Sequence, residues 1–197
     1  MWIHLAATME GTLGGFLLGS LLAIPFGLFL ARFPLVDEIL APFLAGLNAL
    51  PRVALAPIFI LWFGIGLSSK VFLVFSLVFF IVLINTQAGV KSADEELLRM
   101  ATVMGATPRQ RFLKVVLPGA VPSIFAGLRV GVIYALLGTV VGEMVAAPAG
   151  LGQQVAYFSG TYRTGGVFAV LLLLSLIGVA LNGVTLLIER HLLRWQR

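Results

Sequence analysis

The sequence contains no cysteine among its 197 residues, which excludes a disulfide framework and a thiolate metal site. Its two histidines, His4 and His191, lie at opposite ends of the chain, a poor arrangement for a histidine-based zinc site. Charge is equally scarce. Asp, Glu, Lys and Arg make up 11% of the residues, less than half of the roughly 25% found in soluble domains. So little charge cannot cover a water-facing surface, and a lipid-facing surface removes the need. The only lysines are Lys70, Lys91 and Lys114, and none follows a glycine, so a phosphate-cradling G-x-x-x-x-G-K-S/T loop is missing. The acids, arginines and histidines are too scattered to form a catalytic cluster. The sequence is therefore read as non-enzymatic, without a cofactor or metal of its own. The N-terminus also lacks a basic segment leading into a short apolar stretch and a small-residue cleavage site, so insertion is expected to use the first membrane helix.

What the chain does have is apolar length. Hydrophobic residues make up 60% and the mean hydropathy is +1.08. Gly11–Ala31, Val71–Val90 and Thr164–Ile188 are free of charge, and each is long enough for a helix to cross the roughly 30 Å hydrocarbon core. The reading is an all-α membrane protein, one transmembrane domain over residues 1–197, with about five spans at 10–32, 38–64, 70–90, 118–143 and 167–189. Gly11, Gly15 and Gly19 repeat every fourth residue in the first, a spacing that lets a second helix come close. The second contains Pro42, Pro51 and Pro57, and Arg52 splits it. It is either a short interfacial helix before a short span or one helix broken near Pro51; a break requires protein or a wet cavity to satisfy the freed backbone. Residues 64–70 read as a turn, and 146–166 as a loop of small and polar residues.

Orientation follows from basic residues. With the 91–114 loop in the cytoplasm, Lys91, Arg99, Arg109, Arg111 and Lys114 share a side with Arg32, Arg190, Arg194 and Arg197, and only Lys70 and Arg163 fall opposite. That asymmetry places the N-terminus outside and the C-terminus inside. It also gives the net charge of +5 a membrane explanation in place of a nucleic-acid partner.

The 91–114 loop is patterned. Ser92 and Glu95 are spaced as a capping box, and Leu97, Ala101 and Met104 follow as an apolar stripe at helical spacing. Gly105 interrupts, Thr107 and Gln110 form a second capping box with Pro108 at the first helical position, and Leu117-Pro118 is expected to close the segment. The stripe needs a cover, either the bilayer surface or a groove on a partner protein.

These residues resemble the ABC importer permeases, whose cytoplasmic loop reads E-A-A, three residues, G, nine residues, I-x-L-P. Ala101, Gly105, Leu117 and Pro118 match and Val115 is a mild change, while Arg99 and Met100 replace the acid and the first alanine. Leu61-Trp62-Phe63-Gly64-Ile65-Gly66, the segment from Leu117 to Arg129, and Glu143-Met144 followed by Gly150-Leu151-Gly152 are similar to the nitrate, sulfonate and taurine subfamily. The resemblance spans about residues 8–190 and implies a type I ABC importer permease core, shorter than many members by an N-terminal helix. It implies a multi-pass protein of the bacterial inner membrane, paired with a second permease copy. It further implies cytoplasmic ABC ATPase subunits that use the ATP, and a periplasmic or lipid-anchored substrate-binding protein. Glu95, Glu96, Leu97, Arg99, Ala101, Met104, Gly105, Ala106 and Pro118 are the expected coupling residues, with Glu95 and Glu96 one turn before the missing acid.

Polar residues at membrane depth are the pathway candidates. Arg129 lies midway along the fourth span, as a residue that attracts anions or as a structural arginine. Glu143 shares its face, about 21 Å further along the axis, too far to pair; it touches the binding protein, orders the outer loop or is simply solvated. Asn85, Thr86 and Gln87 line an inner gate or satisfy the last carbonyls of the third span. Gln153 and Tyr157 are candidates to face delivered substrate, and Gly127 and Gly131 read as helix packing. Arg129 tilts the expected solute toward an anion such as nitrate, a sulfonate, taurine or bicarbonate; a heterocyclic vitamin precursor or an osmolyte is the alternative. A self-sufficient channel or carrier is disfavoured, because internal repeats and ionisable relays are not seen.

Overall fold

In lipid every backbone N–H and C=O must be satisfied within the chain, so long apolar runs fold as helices. The computed structural model describes residues 1–192, and among these no strand occurs. Arg194 and Arg197 of the basic tail lie outside the described residues. The helices are α1 Trp2–Arg32, α2 Pro34–Ala49, α3 Ala56–Phe63, α4 Leu67–Lys91, α5 Glu95–Val103, α6 Pro108–Arg111, α7 Leu117–Val145, α8 Leu151–Gly160 and α9 Thr164–Leu192. Four stretches are long and apolar enough to cross a membrane: α1, α4, α9 and the continuous segment from Pro108 through Val145. The bent pair formed by α2 and residues 52–63 makes a fifth if it is taken as one broken span.

Several boundaries differ from the sequence reading. The first helix begins at Trp2 rather than near residue 10, because Glu10 is a single exposed charge that an otherwise apolar helix tolerates. Proline sets the next two boundaries. Phe33 and Leu50 each precede one, and both leave the helical region (φ −121°, ψ 81°; φ −64°, ψ 133°), since the following ring disfavours it. The break at Leu50–Pro51 turns the path by 78°. Pro118, by contrast, does not close the loop segment. A π-helical stretch, Phe112–Val116, joins α6 to α7, with the Leu117 N–H reaching back to the Phe112 carbonyl. Pro118 follows this loosened turn, where its missing N–H costs little.

The core lies between α1, α4 and α7, where Ala23, Leu30, Val74, Val78, Val82, Leu83 and Ala135 are buried together. The glycine face of α1 lies against α4. A Cβ at Gly15 would collide with the Val74 side chain, and Gly19 faces Val78 in the same way. A second cluster of Leu136, Leu151, Val155, Val170 and Leu174 attaches α8 and α9 to α7. The stretch 146–166 is thus not only loop: Leu151 and Val155 lie one turn apart and give α8 a buried face. In contrast α2 has no buried residue, and α9 buries only Val170, Leu174 and Thr185.

Candidate functional site

The 91–118 segment forms two short capped helices around a glycine. Asp94, not Ser92, caps α5: its Oδ1 accepts from the Glu96 and Leu97 N–H groups at 2.8 and 3.3 Å, whereas the Ser92 hydroxyl donates back to the Gly89 carbonyl. A carboxylate at this position also complements the positive end of the helix, an advantage the hydroxyl lacks. At the other end of α5, the Ala106 N–H donates to the Ala101 carbonyl and the Gly105 N–H to the Thr102 carbonyl, with Gly105 at φ +79°. This is a Schellman ending that glycine adopts without a Cβ penalty. Thr107 and Gln110 form the expected capping box. The Arg111 guanidinium then donates to the Thr102 hydroxyl at 2.9 Å, which ties α6 back onto α5.

The result is a fixed, protruding helix. Leu97, Met100, Val103 and Met104 are exposed, the last two at 89% and 83%, while Ala101 is half-buried beside Gly105 and Ala106. Arg99, which stands where the resemblance expects an acid, pairs with Glu95 at 3.3 Å on the exposed face. Glu96 is exposed nearby.

The far end of α7 holds a buried polar network in which Glu143 orders the 146–166 segment, one of its expected roles, through partners the sequence did not point to. Glu143 is 1% exposed and Lys70 6%, and they pair at 2.9 Å. The Thr8 hydroxyl donates to the Glu143 carboxylate and accepts from the Leu151 N–H at 2.8 Å. The Gly152 N–H donates to Glu143 Oε2 at 3.0 Å, and Lys70 also donates to the Ala149 carbonyl. His4 Nδ1 accepts from the Gly150 N–H at 3.1 Å. Glu143 is therefore not a solvated helix end. It pins the start of α8 to α1, α4 and α7, and Lys70 is no free loop cation. The one signal in the sequence was that an acid and a base each border an apolar helix on the side expected to be poor in basic residues.

The remaining candidates are dispersed. Arg129 pairs with Glu189 of α9 at 3.3 Å and, as expected, does not meet Glu143. Asn85 Nδ2 donates to the Ile81 carbonyl and Thr86 to the Val82 carbonyl. The Asn85 side chain also occupies the space left by Gly127 on α7, in keeping with glycine as packing. Gln87 donates to Asp37 at the start of α2, and Lys91 pairs with the same carboxylate at 2.8 Å. Gln153 accepts from Gln154.

The sequence matches the family of binding-protein-dependent transport system inner membrane components over residues 23–194. It is 41% identical to the riboflavin transport system permease protein of Chloroflexus aurantiacus, over 100% of this chain and 73% of that protein. Identity is 37% to the formylaminopyrimidine transport permease protein of Halalkalibacterium halodurans, over 98% of this chain and 78% of that one. It is 33% to the taurine transport system permease protein of Escherichia coli, over 99% and 71%. The fold is similar to a chain of the inward-facing MetNI methionine ABC transporter, with a TM-score of 0.81 at 20% identity, over 97% of this chain and 96% of that one. An exposed two-helix loop on a bundle of apolar helices, a family match over most of the sequence and this fold agree: the chain belongs to the binding-protein-dependent transport system inner membrane component family, as an ABC importer permease of type I fold.

Proposed function

We propose that this chain forms the translocation pathway of an ATP-driven importer for a small heterocyclic solute, and that it couples to a separate cytoplasmic ATPase through α5. The observation behind this reading is α5 itself. Its ends are capped on both sides, so the helix is rigid, yet Leu97, Met100, Val103 and Met104 have no cover within the chain. A rigid amphipathic helix presented to a groove is a recurrent docking mode. ATP binds and reacts on the partner, and this chain needs no cofactor. A second permease copy covers the apolar faces of α2 and α9, and a binding protein delivers solute at the end that holds α8. The 91–118 loop and the C-terminus face the cytoplasm.

For the solute, the ion pair of Arg129 with Glu189 offsets the charge on which the expectation of an anion rests. The flavin and aminopyrimidine names belong to relatives of higher identity than the taurine name, which supports a heterocycle. The test is ATP-dependent uptake of riboflavin and of taurine by the permease reconstituted with its ATPase and binding protein. Uptake of riboflavin with ATPase co-purification is expected. Uptake of taurine alone would overturn the solute, and failure to retain an ATPase would overturn the coupling.

A further inference from the structure

Resting on the permease reading above, we infer that Arg52, with the row of phenylalanines leading to it, contacts the solute in transit, and that the solute is a planar heterocycle bearing a carbonyl or anionic oxygen. Arg52 stands just after the 78° break between α2 and α3. Its guanidinium lies 4.3 Å from the centroid of the Phe80 ring on α4. Phe80 is 13 residues from the start of α4 and 11 from its end, so Arg52 meets α4 near its middle, roughly 20 Å from one end and about 17 Å from the other. An arginine at that depth is costly unless something answers its charge.

Two other cations packed among these helices are answered within the chain. Lys70 pairs with Glu143 and Arg129 with Glu189. Arg52 has no carboxylate within ion-pair distance among the described residues. Its Nη2 donates to Asn48, to Oδ1 at 2.5 Å and to the carbonyl at 3.3 Å, and the rest of its planar donor fork has no such partner in those residues. That fork recognises two adjacent acceptor atoms, as in a carboxylate, or in a ring carbonyl beside an unprotonated ring nitrogen.

The aromatic rings narrow the choice. Phe63 and Phe72 stack with centroids 4.2 Å apart, Phe72 meets Phe75 at 6.3 Å, Phe75 meets Phe79 at 5.5 Å, and Phe79 meets Phe80 at 5.3 Å. The row runs along α4 from the end near Gly64 to the ring under Arg52, and every member is partly exposed in the chain. Successive ring faces offer stacking to a planar ring system, and the guanidinium at the end of the row reads the oxygen on its edge. Broken helices near the bilayer midplane are where transporters expose free backbone groups to solute. A small aliphatic sulfonate would use the arginine and leave the rings idle.

The test uses the complete transporter, permease with ATPase and binding protein, in proteoliposomes, with riboflavin as the probe and taurine as the non-planar comparison. Arg52→Ala is expected to lower riboflavin uptake at least about tenfold, the loss of a charge-assisted hydrogen bond at low dielectric, while ATPase co-purification and the melting temperature stay at parent values. Arg52→Lys restores part of the uptake, and Phe80→Leu lowers it with assembly intact. Undiminished uptake in Arg52→Ala overturns the inference. So does loss of assembly in both Arg52→Ala and Arg52→Lys, which would make the arginine a brace for the break. A parent transporter that moves taurine but not riboflavin defeats the heterocycle reading itself, before any variant is compared.

Discussion

Lys70 on α4 and Glu143 on α7, 73 positions apart, form a buried ion pair of 2.9 Å. Two charges removed from water cost several kcal/mol each, and the pair persists only with further partners. They are present: Thr8 and the Gly152 N–H complete the carboxylate, and the Ala149 carbonyl takes a second lysine donor. The pair is the point at which α1, α4, α7 and α8 are joined.

Breaking it from one side should be worse than removing it. Glu143→Leu or Lys70→Met leaves one charge buried alone and is expected to cost about 3 kcal/mol or more. The double variant should recover much of that loss, because no unpaired charge remains. Melting temperatures of the detergent-solubilised parent, both singles and the double check this. A double variant as unstable as the two singles combined would show that the two charges do not act as a pair.

Gly150 tests the same junction without touching a charge. It has φ +147° and a Cβ there would collide with the Glu143 carboxyl group. Gly150→Ala should lower the melting temperature by several degrees. Gly160→Ala, at the other end of α8 where nothing lies within 4 Å, should leave it near the parent value. Equal melting temperatures for the two would sever the link between Gly150 and Glu143.

Gly105 fails differently on substitution. Nothing lies within 4 Å of its Cβ position, so only its φ of +79° resists a side chain. Asparagine visits that region with little penalty and a β-branched residue does not. Gly105→Asn should keep ATPase co-purification and solute uptake, whereas Gly105→Val should lose both while inserting normally. Ala101→Asp should also uncouple, by burying an unpaired carboxylate in the docked interface at a cost of several kcal/mol. Full uptake in Gly105→Val and Ala101→Asp would remove α5 as the coupling element.

The absence of cysteine makes topology directly measurable. Arg109 and Arg163 are both exposed and lie at opposite ends of the bundle. Single cysteines at these positions should react with a membrane-impermeant maleimide from opposite sides, Arg109→Cys from the cytoplasm. Labelling of both from one side would contradict the orientation read from the basic residues.

Chain-local signals were enough for the membrane class, the approximate spans, a break near Pro51 as one of two options, the Thr107 capping box and the glycine stop at Gly105, though they put the first cap on Ser92 where Asp94 holds it. Each of these is set by neighbours in the chain: apolar length by lipid thickness, the break by the residue before a proline, the turn at Gly105 by a backbone angle. The partners of Glu143, Lys70, Arg129 and Arg52 came only with helix packing. An isolated charge beside an apolar run reads the same whether it meets solvent or a partner 73 positions away. Helix α8 escaped for a related reason. Its buried face is only Leu151, Gly152 and Val155, too short a period to stand out, and it exists because Glu143 and Thr8 are placed by other helices to hold its first N–H groups. Local patterns place many helix ends; which charges cancel, and whether a short helix such as α8 forms, depends on packing, which is settled by long-range contacts that no short window of sequence contains.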